Sequence, residues 1–166
     1  MTFLSLSNDK ITLVPLDETF ATVIFNSNYG KVKVHFANFD NIKDAQKWIK
    51  SSLVLINYGV KIETVILSHT KEFVGMIALD GLDTDICDLK IWINEEFQLR
   101  GYATSASYLM IDYFNQQYPD KQLKYEAIIT NTASNALAKK LNFKLARSYR
   151  EENKKLNVYV LKSASI

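Results

Sequence analysis

The handover from an apolar, strand-length run at 86–93 to a long helical pattern constrains this chain more than any other stretch. Residues 94–110 read NEEFQLRGYATSASYLM, and Tyr102, Ala106, Leu109 or Met110, and Tyr113 recur at helical spacing. A strand that feeds a helix through Gln98-Leu99-Arg100-Gly101-Tyr102-Ala103 leaves the first helical N–H groups without internal partners. Those groups lie at the positive end of the helix dipole. Gly101 lets the backbone approach a ligand and Ala103 leaves room, so the junction predicts a phosphate site.

The rest of the chain arranges itself around this junction. Residues 11–16 read as a strand, and Asp17 is positioned to cap a helix that carries Phe20, Val23 and Ile24 on one face. Asn41 and Asp44 form a pattern like a capping box. It precedes a stripe of Ile42, Ala45, Trp48 or Ile49, Leu53 and Ile56, ended by Gly59. Three β-rich runs follow, at 62–67, 73–79 and 86–93, and the connectors at 68–72 and 80–85 are short enough to predict an antiparallel meander. The long helix should stop near Tyr118, where Pro119 and Asp120 follow. Residues 123–129 make a strand expected beside 86–93. Asn131 caps a helix with an apolar face of Ala133, Ala136, Leu137 and Leu141, and Asn142 takes its left-handed C-terminal position. Residues 143–149 and 157–161 alternate as a closing hairpin. The expectation is one α/β (α+β) domain over residues 1–166, with a mixed central sheet and the order β-α-α-β-β-β-α-β-α-β-β.

Composition removes several function classes. Twenty basic against eighteen acidic side chains leave a net charge of +2, too small for an electrostatic footprint on nucleic acid. No apolar run reaches membrane-spanning length and no leader-like segment opens the chain, so the expected location is the cytoplasm, away from membranes, as a monomer or a homodimer. The single cysteine, Cys87, sits between Ile86 and Asp88 in a strand and reads as a small buried hydrophobe. His35 and His69 are far apart with no further ligand at metal spacing, so no metal is expected.

The pattern Gln98-x-x-Gly101-x-Ala103, after a strand and at the head of a helix, resembles the acetyl-CoA-binding signature of the GNAT N-acetyltransferases. The longer phrase IWINEEFQLRGYATSA at 91–106, followed by NTASNALAKKLNF at 131–143, is similar to the RimJ/RimL branch, which acetylates protein N-termini and small amines. The resemblance covers nearly the whole chain and implies the GNAT fold, with acetyl-CoA as cofactor. In that fold the strands matching 86–93 and 123–129 splay apart. Pantetheine would lie in the wedge against the backbone of Ile91, Trp92 and Ile93, with Asn131 and Ser134 beside it. Backbone amides of Gln98, Leu99, Arg100, Gly101, Tyr102, Ala103 and Thr104 would hold the pyrophosphate, with Arg100 free to add a charge-assisted contact.

N-acetyl transfer needs a neutral amine, donors for the developing oxyanion, a base and a proton for the leaving thiolate. The resemblance places a carboxylate at Asp88, as general base or as a residue that positions water. Strand alternation puts Asp88, Lys90 and Trp92 on one face, so a pairing of Asp88 with Lys90 that lowers its pKa is the competing reading. Many relatives carry a tyrosine on the last helix where this chain has Ala138; Ser134 matches the serine that the RimL-like pattern puts near sulfur. Serine in a first helical turn also serves as plain capping chemistry, and Asn131 likewise combines a capping reading with a pantetheine contact. Leu99, Arg100 and Asn142 depart from the Gly, Lys and Gly common among relatives. The acceptor would approach near Tyr29, His35, Phe36, Phe39 and Trp92, residues that equally suit a core. A cationic small-molecule acceptor would draw on Asp80, Asp83, Asp85 and Asp88. The reading from another class is an acyl-CoA-binding GNAT-like sensor without turnover.

Overall fold

The computed structural model describes residues 3–27 and 39–161. Tyr29, His35 and Phe36 of the expected acceptor region lie outside the described residues. Strands β1 (Leu6–Ser7), β2 (Ile11–Pro15), β3 (Lys61–Ser68), β4 (Phe73–Asp80), β5 (Ile86–Ile93), β6 (Gln122–Ile128), β7 (Lys144–Glu151) and β8 (Lys154–Leu161) form one sheet in the order β1-β2-β3-β4-β5-β6-β8-β7. Helices α1 (Ala21–Asn26), α2 (Ile42–Asn57), α3 (Tyr102–Gln117) and α4 (Thr132–Lys140) cover its two faces. The element order expected from sequence is present, with one addition. The strand β1 is absent from the expectation because two residues are too short to show a period-two pattern.

Local chemistry accounts for the helix ends. Asn41 accepts from the Asp44 amide at the head of α2, and Asp44 returns the bond to the Asp40 amide and the Asn41 side chain rather than to the Asn41 backbone. At the other end Gly59, with φ +72°, closes a Schellman motif: its N–H donates to Ile56 and that of Val60 to Leu55. The same motif ends α4, where Asn142 takes φ +65° and the N–H groups of Asn142 and Phe143 donate to Lys139 and Ala138. Asp17 caps a single 3-10 turn that runs into α1.

Two apolar cores lie on opposite faces of the sheet. Leu89 and Ile93 of β5 join Ala106, Met110 and Phe114 of α3 and Ala138 at α4 in the larger one. Trp92 joins Ile24 of α1 and Ile49 of α2 in the smaller. The alternation expected along β5 therefore holds. Cys87 is fully buried, and burial pushes its thiol up to about 12, so it carries no thiolate at neutral pH. No helix among the described residues is long and apolar enough to cross a membrane.

The feature that positions the site is a seam. Strands β5 and β6 run parallel but pair only at Ile86 with Gln122, Cys87 with Leu123, and Asp88 with Lys124. Beyond Asp88 they part: β5 stays on β4 through Ile93, while β6 follows β8 through Ile128. Gly75 supports the parting from the other side. A Cβ there would lie 2.1 Å from the Trp92 carbonyl oxygen, so only glycine lets β4 come this close to the end of β5.

Candidate active site

The wedge between β5 and β6 is a cleft of about 580 Å³, within the range of small-molecule sites. Its walls are residues 88–93 of β5, the turn into α3, residues 125–128 of β6, and the cleft-facing side of α4. A depression of about 390 Å³ at Asn26, Ser27, Asn94, Glu95 and Glu96 shares no residue with it.

On the α3 side the wall is mostly backbone. A 3-10 turn over Glu95–Phe97 leads to Gln98, whose side-chain amide donates to the Ile93 carbonyl at 3.0 Å and closes the end of β5. Leu99 at φ +60° and Gly101 at φ +80° both take left-handed backbone before α3 begins at Tyr102. The head of α3 has no side-chain cap, whereas the Asn side chains of residues 41 and 131 cap α2 and α4. Its first N–H groups point out of the helix with no acceptor of their own, at the positive end of the dipole. Gln98, Leu99, Gly101, Tyr102, Ala103 and Thr104 all line the cleft. The Arg100 guanidinium lies 5.9 Å from the Phe97 ring centroid, outside the lining of the cleft.

Leu99 shows why a departure from glycine is tolerated here. Its side chain is fully exposed and meets nothing, so only its backbone shape enters the site. The left-handed leucine costs roughly 1 kcal/mol relative to glycine.

Helix α4 supplies the opposite wall. Asn131 accepts from the Ser134 amide at 3.1 Å, and Asn135 ties the helix down. The Asn135 amide donates to the carbonyls of Ile128 and Asn131, while its oxygen accepts from Asn157 and from the Tyr159 hydroxyl at 2.7 Å. This places Asn131, Ala133, Ser134, Ala136, Leu137 and Lys140 on the cleft. Ala133 and Ala136 were expected in the core; they are exposed, and the buried residue of the helix is Ala138. The alanine at position 138 packs in the larger core.

A tyrosine reaches the wedge from elsewhere. Tyr125 of β6 is buried and lines the same cleft as Ser134; burial raises its phenol pKa, with Ser134 opposing. Sequence reading missed it because a tyrosine in a strand core carries no distinguishing local signal.

The other face of the sheet opens onto the same wedge with a row of charges. Lys61 pairs with buried Glu63 on β3, and Lys90 with Asp80 of β4. Lys124 lies 3.6 Å from Asp88 and 2.6 Å from Glu126, and Glu126 also accepts from the Tyr149 hydroxyl at 2.8 Å. Asp88 is thus not locked to Lys90. Burial raises its pKa to about 6, only partly offset by Lys124 and Lys90. Asp83 and Asp85 stand exposed on the β4–β5 turn, while Asp80 and Asp88 pair with Lys90 and Lys124. Trp92 and Phe39 sit in the smaller core, Trp92 against Phe73 at 6.1 Å and Phe39 against Trp48 at 5.9 Å, although Trp92 also borders the cleft. Among the described residues no cluster of His, Cys, Asp or Glu is arranged to hold a metal ion.

A parallel-to-splayed pair of central strands, with an uncapped helix head on one side and a carboxylate on the other, defines an acyl-CoA-dependent transferase fold. The acetyltransferase (GNAT) domain family matches residues 10–144, and the chain belongs to that family, whose acyl donor is acetyl-CoA. No curated protein sequence matches it. Solved structures match its fold over almost its whole length. The RimL ribosomal L7/L12 alpha-N-protein acetyltransferase in complex with coenzyme A has a TM-score of 0.87 at 14% identity, covering 95% of this chain and 97% of that one. The Salmonella typhimurium acetyltransferase that modifies the N-terminal serine of L7/L12 gives 0.82 at 15%, covering 93% and 95%. The microcin C7 self-immunity acetyltransferase MccE, in complex with acetyl-CoA and AMP, gives 0.81 at 21%, covering 93% of each chain.

Proposed function

We propose that this acetyltransferase acts on a primary amine, at a peptide N-terminus or on a small molecule, which enters the wedge from the charged face of the sheet. The observation that carries the reading is a single cleft lined both by the amide-rich head of α3 and by Asp88. Acetyl-CoA supplies the activated thioester. The amides from Gln98 to Thr104 would hold its phosphates. The β5 edge at Ile91, Trp92 and Ile93 would lie along pantetheine, because no strand pairs with that stretch on the β6 side among the described residues. Asn131 would contact pantetheine through the amide nitrogen that capping leaves over.

Asp88 would take the proton from the attacking amine, directly or through water. A base near 6 is ionised at neutral pH yet strong enough to share a proton with an amine. An α-amine, with an ordinary pKa near 8, loses its proton far more readily than a lysine side chain near 10.4, which favours N-terminal or similarly weak amines. Ser134 would donate to the departing thiolate, with Tyr125 lining the same cleft. RimL, an L7/L12 alpha-N-protein acetyltransferase, and MccE, a microcin C7 self-immunity acetyltransferase, share this fold at under a quarter identity, so the likeness alone does not choose the acceptor. We place the protein in the cytoplasm, as a monomer or a homodimer.

The test follows release of the coenzyme A thiol with purified protein, acetyl-CoA and a panel of N-terminal peptides, polyamines and aminoacyl compounds. Turnover on peptides or small α-amines is expected. Tight acetyl-CoA binding without turnover on any amine would replace this reading with a sensor.

A further inference from the structure

We propose that Lys10, on the turn between β1 and β2, contacts the pyrophosphate of coenzyme A. The inference rests on the acetyl-CoA reading of the cleft and adds an exposed charged side chain, just outside the cleft lining, to a wall that is mostly backbone. Lys10 Nζ lies 3.6 Å from the place a Cβ on Gly101 would occupy, and 4.9 Å from the centroid of the Tyr102 ring. It therefore sits over the first turn of α3, the cap-free end of that helix.

The lysine is held there by its own hairpin. Asn8 Oδ1 accepts from the Lys10 and Ile11 amides at 2.9 and 3.1 Å, which sets the turn. Asn8 Nδ2 donates to Ser105 Oγ at 2.9 Å, which fastens the turn to α3. Pairing of Leu6 with Leu13 and Ser7 with Thr12 anchors the other end.

The placement is electrostatically unfavourable in the absence of an anion. An ammonium beside the positive end of a helix is repelled, and Lys10 makes no salt bridge among the described residues to offset this. The face of the Tyr102 ring offsets part of it. An anion bridging the amides of Gly101 and Tyr102 and the Lys10 ammonium would resolve the conflict with charge-assisted hydrogen bonds. Arg100, the cation next in sequence to the turn, lies over Phe97 instead. Lys140 lines the cleft from α4, and it is the alternative cation for a phosphate elsewhere on the cofactor.

Calorimetric titration of the full chain with coenzyme A and with 3′-dephospho-coenzyme A tests the assignment. Lys10→Ala is expected to raise the Kd of both ligands by a similar factor, about tenfold, with the difference shrinking as salt is added. Lys10→Arg should recover most of the affinity, and the unfolding temperature of the ligand-free Lys10→Ala chain should not fall. Unchanged Kd in Lys10→Ala overturns the proposal. So does a loss confined to coenzyme A, which would assign Lys10 to the ribose 3′-phosphate, or a loss that tracks a lowered unfolding temperature. A wild-type chain that binds neither ligand would instead overturn the acetyl-CoA reading beneath it.

Discussion

The two mouths of the wedge are built in different ways. The mouth toward α3 presents backbone: two left-handed residues, an uncapped helix head and a strand edge unpaired among the described residues. The mouth toward α1 and α2 presents side chains: Asp88, Lys90 and Glu126 line it, and Asp80 and Lys124 hold them in ion pairs. Backbone recognition tolerates exchange of side chains, as Leu99 and Arg100 illustrate, and suits a cofactor whose phosphates never change. Side-chain recognition is open to retuning, and suits an acceptor that varies between proteins of one fold.

Breaking the backbone mouth should have the largest effect. Gly101→Val places a β-branched residue at φ +80°, beside Lys10 and the helix head. Affinity for coenzyme A should fall by more than about a hundredfold in a binding titration, or about 3 kcal/mol. An affinity within threefold of wild type would remove the phosphate role of the turn.

Next in size is Asp88→Asn, expected to lower kcat about a hundredfold or more while leaving the Kd for acetyl-CoA within twofold. In the wild type, kcat/KM should fall with unit slope below about pH 6, because the base must be ionised to work. The stability sign runs the other way. Burial raises the folded-state pKa above the usual 3.8, so protonation favours the fold. That contribution is fully present below about pH 4 and is lost as pH rises through about 6. At pH 7 the asparagine variant should therefore be more stable by roughly 1–3 kcal/mol in denaturant titrations, and the gap should close toward pH 4. A variant that is active, or no more stable at pH 7, would return Asp88 to a structural ion pair.

Ser134→Ala is expected to cost about tenfold in kcat with binding intact, since one hydrogen bond to the leaving sulfur is removed. Equal turnover in single-turnover assays would take the proton-donor role from it. The smallest change sharpens the contrast between the mouths. Leu99→Gly should raise the unfolding temperature by about 1–4 °C by relieving the left-handed leucine, and leave coenzyme A affinity unchanged. A loss of affinity would mean that the leucine side chain, and not just its backbone, serves the site.

The same contrast explains what could be read from sequence. The helix caps at Asn41, Asn131 and Asn142 and the turn at Gly101 are local, each signalled within a few residues of the structure it makes. The left-handed turn and the helix start after it were legible for that reason. The charged mouth was not, because Lys124 meets Asp88 only through the register of two parallel strands separated by α3. A pairing of Asp88 with Lys90 was the nearest guess that sequence proximity allowed, and the register sends Lys90 to Asp80 instead. Tyr125 and the N-terminal hairpin escaped notice likewise, one hidden among core aromatics and the other too brief to show a period.

The three-rung ladder joining β5 to β6 has a mechanical consequence. Asn135 welds α4 to β6 and β8, so the portion from Gln122 to Leu161 is held together as one plate. Among the described residues its only strand-to-strand attachment to the rest lies at the closed end, like the spine of a book. Ser134 is thus carried by the cover and Asp88 by the spine, so the distance between them is set by how the cover packs on α3 through the larger core.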